Sequence, residues 1–219
     1  MSVMLITLVR HGQSEANAGL TEHLDSSLTD LGRQQADLTA EYLSRTGLTL
    51  AYVSPLRRAL QTIAPFCERT HLWAEVYADI CEYFNAKWPG YRHFPGLTPE
   101  QITSQFPFAY FGETFPCSTG WWPQELENDA LMYARAQRVR DALISLHGGS
   151  NERILIVSHA ETVGRLTEAF LRVPAVTEEP PFSDNCAVTR LHVFDPNQPA
   201  ELLAQNDTTH LAPLMADAA

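Results

Sequence analysis

The stretch "VMLITLVRHG", Val3 to Gly12, decides how the rest of the chain is read. Its first part, Val3 to Val9, is apolar, rich in branched residues and does not alternate with polar ones. That pattern marks a strand covered on both faces, as in a parallel sheet. The run stops at Arg10 and His11, two side chains that are costly to bury, and at Gly12, which frees the backbone to turn away. A buried strand that ends this way opens onto something polar. In open α/β sheets, ligands bind beyond the carboxyl ends of the parallel strands.

Working outward, "RILIVSH", Arg153 to His159, repeats the pattern and also ends on a histidine. "TLAYVS", Thr49 to Ser54, is a third such strand and runs into Pro55, Leu56, Arg57 and Arg58. "NCAVTRLHVFD" reads as a further strand and "AELLAQND" as a last edge strand. Helical patterns lie between them. "TDLGRQQADLTAEYLSRTG" has Thr29 as N-cap and Gly47 as its stop. "PLRRALQTIAPF" follows the third strand directly. "NDALMYARAQRVRDALISLHGG" places Met132, Ala136, Val139, Leu143 and Leu146 on one stripe before Gly148 and Gly149. "AETVGRLTEAFL" does the same with Val163, Leu166, Thr167 and Phe170. Strands alternating with helices predict an α/β three-layer sandwich, with a mainly parallel central sheet and helices on both faces.

A chain of 219 residues buries a sizeable core, and the whole is read as one domain, residues 1–219. The segment from about 81 to 129 breaks the rhythm with prolines and aromatics, "EYFNAKWPGYRHFPGLTPEQ" and "FPCSTGWWPQELE". It is read as an insertion folded over the sheet, where a lid or specificity wall can sit. The formal net charge of -11 argues against nucleic acid or an anionic membrane as partner. An anionic substrate therefore needs a local cluster of arginines. Cys67, Cys81, Cys117 and Cys186 form no C-x-x-C pair, so they predict reduced thiols rather than zinc or a disulfide framework. No metal and no organic cofactor is implied. With no signal-like N-terminus and no apolar run near membrane length, the expected localisation is cytoplasmic.

If the strands are parallel, Arg10, His11, Arg58 and His159 meet at one sheet edge. Guanidinium forks match phosphate oxygens. A neutral imidazole can attack phosphorus and form a phosphohistidine, and a carboxylic acid must then protonate the departing oxygen. Glu82, at the mouth of the insertion, is the candidate acid.

At these residues the chain resembles the histidine phosphatase superfamily, the phosphoglycerate mutase-like proteins. The resemblance is carried by four blocks in order: "LVRHGQSEAN", "SSLTDLGRQQA", "VSPLRRALQTI" and "ILIVSHAETV". It implies His11 as the nucleophile, Arg10 and Arg58 as phosphoryl binders, and His159 as a second histidine donating to the phosphoryl oxygens. Asn17 would contact the phosphate side of the pocket. Glu82 in "ICEYFNAKWPG" stands at the family's acid region, with Asn85 and Ala86 where glycine is usual and Pro89 where glutamate is usual. Gln13, Trp88, Tyr91, Arg92 and Trp121 are candidate walls of the substrate pocket.

The leading expectation is a metal-independent phosphomonoester phosphatase acting through a phosphohistidine on a small phosphorylated metabolite. A phosphoglycerate mutase is the alternative. The mutases of the resembled family carry a characteristic insertion that the aromatic segment here does not resemble, which favours the phosphatase. A catalytically silent phospho-ligand binding module ranks last, because His11, Arg58 and His159 are all present. A homodimer is left open. His23, His71, His147, His192 and His210 show no metal-ligand spacing and read as surface or edge residues.

Overall fold

A computed structural model describes residues 3–83, 94, 96–112, 126–173 and 181–216. Among the described residues, seven strands form one sheet: β1 (Met4–Arg10), β2 (Leu50–Val53), β3 (Ala74–Val76), β4 (Ala109–Phe111), β5 (Arg153–Ser158), β6 (Val188–Val193) and β7 (Glu201–Asp207). Their spatial order is β4-β3-β2-β5-β1-β6-β7. The five from β4 to β1 run parallel, and β6 then pairs antiparallel with β1 and with β7. The apolar run of β1 thus lies inside the sheet, between β5 and β6, where both its faces are covered.

The helices are α1 (Asp30–Leu43), α2 (Arg57–Thr70), α3 (Pro99–Gln105), α4 (Asp129–His147), α5 (Ala160–Leu171) and the short α6 (Ala212–Ala216). Strand alternation sends successive side chains to opposite faces. Val9, Leu155, Val157, Ala51 and Val53 pack with Ala40 and Leu43 of α1 and Leu60, Ile63 and Phe66 of α2. Met4, Ile6, Leu8, Ile154, Ile156 and Tyr52 pack with Ala136, Val139 and Leu143 of α4 and Leu166 and Phe170 of α5. Two cores, one on each face, make the predicted three layers. Each large apolar side chain buried here contributes about 1.5–3 kcal/mol.

Several local expectations change in detail. Thr29 caps α1 by accepting from the Gly32 N–H, as the sequence predicts, but the helix ends at Leu43, before Gly47. Gly47 instead takes a left-handed turn toward β2, with φ of 69°. Leu146 does not join the α4 stripe and is 66% exposed. The inward position of that last turn belongs to His147, whose Nε2 meets the Tyr52 hydroxyl at 2.9 Å. Leu146 lies about 100° around the helix from it and faces out. Buried Arg135 and Arg140 lie among the apolar residues of α4. The strands β3 and β4 and helix α3 were not anticipated, because three-residue strands carry no readable period. Helix α3 and β4 come from the inserted segment, and β4 completes the parallel edge of the sheet. The described cysteines, Cys67, Cys81 and Cys186, are buried and free. Burial pushes each thiol up to about 12. Among the described residues, no helix is long and apolar enough to cross a membrane.

Candidate active site

The parallel register brings the strand ends together. Arg10 of β1 stands opposite Ser158 of β5, and the His11 N–H extends the ladder to the Ser158 carbonyl at 2.9 Å. The next residues, His11 and His159, are therefore neighbours, with ring centroids 5.1 Å apart. On the other side of β5, the Ser54 N–H reaches the Val157 carbonyl at 3.0 Å, and α2 begins a few residues later with Arg57 and Arg58. Helices α2 and α5 both start at this edge, so their positive dipole ends face it. The four residues that the sequence places at one edge are at one edge.

His11 is 2% exposed and held at both nitrogens. Arg58 Nε, which can only donate, lies 3.1 Å from His11 Nε2, so Nε2 carries the lone pair. Nδ1 must then hold the proton, and it donates to the Gly12 carbonyl at 2.7 Å. Burial, with Arg58 and Arg10 beside it, drives the His11 pKa well below 6.5. The imidazole is neutral and in one tautomer, its Nε2 lone pair accepting from Arg58 Nε. The loop behind it is tied down as well: Thr62 Oγ1 accepts from the Gly12 N–H at 3.0 Å and donates to the Arg58 carbonyl at 2.6 Å.

Both guanidiniums are anchored to backbone carbonyls. Arg58 Nη1 donates to the Leu24 carbonyl at 2.9 Å and Arg10 Nη1 to the Ser183 carbonyl at 2.7 Å. Arg10 Nε is buried with no hydrogen-bond partner among the described residues, a donor that an anion's oxygen would satisfy. His159 is fully buried. Its Nε2 pairs with Ser54 Oγ at 2.7 Å, and its Nδ1, otherwise unpartnered among the described residues, faces Glu82 Oε2 at 3.8 Å. Burial first, then Arg58 and His11, lowers the His159 pKa well below 6.5. Glu82 is nearly buried, and that desolvation raises its pKa against the pull of Arg58, the Tyr83 N–H and Arg10. A raised carboxyl pKa keeps a proton available, which is what an acid needs.

Arg10, His11, Arg58 and Glu82 line a cleft of about 490 Å³, together with Ser14, Ala16, Asn17, Glu22, His23 and Leu24, a size that suits a small metabolite. His11, Glu82 and His159 also bring ligand atoms within 4.8 Å of one another, as a metal ion would require. The adjacent guanidiniums of Arg10 and Arg58 repel a cation and favour an oxyanion.

Residues 6–208 match the histidine phosphatase superfamily, branch 1. The chain belongs to that superfamily. It is 30% identical, over 80% of its length and 78% of the relative's, to a glucosyl-3-phosphoglycerate phosphatase of Mycobacterium tuberculosis. It is 29% identical, over 95% of each chain, to a probable phosphoglycerate mutase of Serratia proteamaculans. Among solved structures, a mycobacterial glucosyl-3-phosphoglycerate phosphatase in complex with VO3 superposes with a TM-score of 0.69 at 27% identity, covering 93% of this chain and 99% of that one.

Within this histidine phosphatase fold, Asn17 lines the cleft. Its Oδ1 accepts from the Ser14 N–H at 3.3 Å and from Asn185 Nδ2 at 3.2 Å, which leaves its NH2 as the group able to meet an anion. Gln13, expected as a pocket wall, is not among the described residues that line this cleft. Its Oε1 accepts from Thr29 Oγ1, at the N-cap of α1, at 2.8 Å, because the backbone turns at Gly12. Trp88, Tyr91, Arg92 and Trp121 lie outside the described residues. His23, read as a surface residue, lines the cleft; its Nδ1 accepts from the Asp25 N–H at 3.2 Å. Ser54 was legible in hindsight, as the strand-ending serine in the same block as Arg58. Asn185, whose Nδ2 braces the His11 carbonyl at 2.9 Å, carries no local signal.

Proposed function

We propose that this chain is a phosphomonoester phosphatase that works through a phosphohistidine on a small phosphorylated metabolite, with no metal ion. One observation carries the reading: the imidazole of His11, neutral and fixed by Gly12, presents its Nε2 lone pair to Arg58 in a cleft that Arg10 also enters.

In this reading the phosphoryl group takes the place that Arg58 Nε now shares with His11, and Arg10, Arg58, Asn17 and His159 bind its oxygens. Nε2 of His11 forms a bond to phosphorus while the bond from phosphorus to the leaving oxygen breaks. Glu82 gives its proton to that oxygen. Water then attacks the phosphohistidine, Glu82 taking back a proton, and phosphate departs. Positive charge prearranged around the transferring group supplies most of the acceleration. The whole chain acts as one domain.

The likeness to a probable phosphoglycerate mutase supports a second reading, isomerisation through the same phosphoenzyme. One experiment separates the two. Purified protein is incubated with chelator and a panel of phosphomonoesters that includes 3-phosphoglycerate and glucosyl-3-phosphoglycerate, and free phosphate and isomerised product are followed together. Phosphate release is expected, lost by on the order of 10³-fold or more in His11→Ala. Isomerisation without release makes the chain a mutase. Neither product from folded protein removes both readings.

A further inference from the structure

Arg135 sits within α4 and is only 4% exposed, a place where a guanidinium is costly unless its N–H groups are answered. Its Nε and Nη2 grip the Glu127 carboxylate at 2.7 and 2.8 Å. The rest of the fork crosses to the turn after β3. Nη1 donates to the Asp79 carbonyl at 2.7 Å and the Cys81 carbonyl at 2.9 Å, and Nη2 to the Glu82 carbonyl at 3.2 Å. Ser158 Oγ donates to the Ile80 carbonyl at 2.7 Å, and Thr162 Oγ1 to the Cys81 carbonyl at 2.6 Å. The consecutive carbonyls from Asp79 to Glu82 are therefore all held by side chains of α4, β5 and α5. A backbone pinned at every carbonyl has one setting, and the next atoms along it are the Glu82 side chain.

We propose that Arg135 is a positioning residue for proton donation to the leaving group: its fork locks the Asp79–Glu82 backbone so that the Glu82 carboxyl stands beside His159. Its grip on Glu127 anchors the same turn to the end of the aromatic, Pro-rich insertion. The inference rests on the reading of Glu82 as the acid. The step it serves is the one in which the bond from phosphorus to the leaving oxygen breaks and the Glu82 proton passes to that oxygen. A displacement of about 1 Å in such a group costs on the order of 10²-fold in rate.

The test compares leaving groups. A p-nitrophenolate departs without a proton, whereas an alkoxide does not, so a misplaced acid slows alkyl esters selectively. Arg135→Lys keeps the charge but replaces the planar fork with a point donor that cannot span the carbonyls. It is expected to lower kcat/KM by about 10²-fold on the best alkyl phosphate of the panel and by less than about tenfold on p-nitrophenyl phosphate. Glu82→Gln is expected to show the same selectivity. Equal losses on both esters in Arg135→Lys, or none on either, overturn the proposal. Should Arg135→Lys not fold, Glu127→Gln, which loosens the grip on the guanidinium, must show the selective loss; an unselective effect there overturns the proposal equally. If Glu82→Gln is itself unselective, the acid assignment fails and takes the Arg135 proposal with it, whereas selectivity in Glu82→Gln alone removes only the role of Arg135.

Discussion

His11 owes its fixed tautomer to two hydrogen bonds of opposite sense. Gly12 accepts at Nδ1, Arg58 donates at Nε2, and the lone pair is fixed before any substrate arrives. Replacing Arg58 by Lys removes a planar donor from the space where charge develops, and kcat is expected to fall about 10²-fold or more, read by steady-state kinetics on the preferred ester. The acid makes a separate prediction. As the proposed acid, Glu82 would work only while protonated, and burial raises its pKa. Activity should therefore hold through the ordinary carboxylate range and decline as pH rises through that raised value. In a kcat/KM profile for an alkyl ester, Glu82→Gln should abolish the alkaline limb; survival of that limb would assign it to another group.

The loop from β1 to α1 acts as a unit because two glycines let it close. A Cβ on Gly32 would stand 2.0 Å from the Gln13 carbonyl oxygen, and one on Gly12 would stand 2.6 Å from the Gly32 carbonyl oxygen. The first turn of α1 thus lies directly on the backbone that follows His11. Gly32→Ala must push that backbone aside, so it is expected to cost stability and activity together, measured by denaturant midpoint and by kcat. Thr29→Ala differs. It removes the N-cap bond to Gly32 and the hydroxyl that holds Gln13, costing about 1 kcal/mol of stability with a much smaller effect on kcat. Similar effects of the two variants on activity would contradict the role of backbone contact here. At this scale the sequence was readable where an element is long and periodic: the strand at Val3–Val9, the cap at Thr29, the stripe of α5. It misled where a neighbour outranked the period, as with His147 over Leu146, and where β3 and β4 were too short to have a period.

Across the whole molecule, the site is a place where charge-bearing groups are held out of water. His11 and His159 are both depressed well below the ordinary 6.5. Below that value the unfolded chain takes up protons at these positions and the folded chain does not, so stability should fall as pH drops from about 6.5. Glu82 and Asp25 act in the opposite sense. Burial raises both, so each withdraws stability as pH rises from its ordinary value through its raised one. Thermal melts across pH 5–7 should show a slope that is shallower in His159→Gln than in the parent chain; an unchanged slope would place the acid sensitivity elsewhere. The sequence alone determined that buried strands run into Arg10 and His11, into Arg57 and Arg58, and into His159, because strand period and the cost of burying such residues are local facts; that these strand ends lie side by side came from the parallel pairing. It also pointed to Glu82 by position. Only the tertiary structure decided which His11 nitrogen carries the lone pair, that Gln13 meets the cap of α1, that His23 lines the cleft, and that Arg135 reaches the turn bearing Glu82. Those depend on which distant atoms fill a donor or acceptor, and no spacing along the chain encodes that pairing.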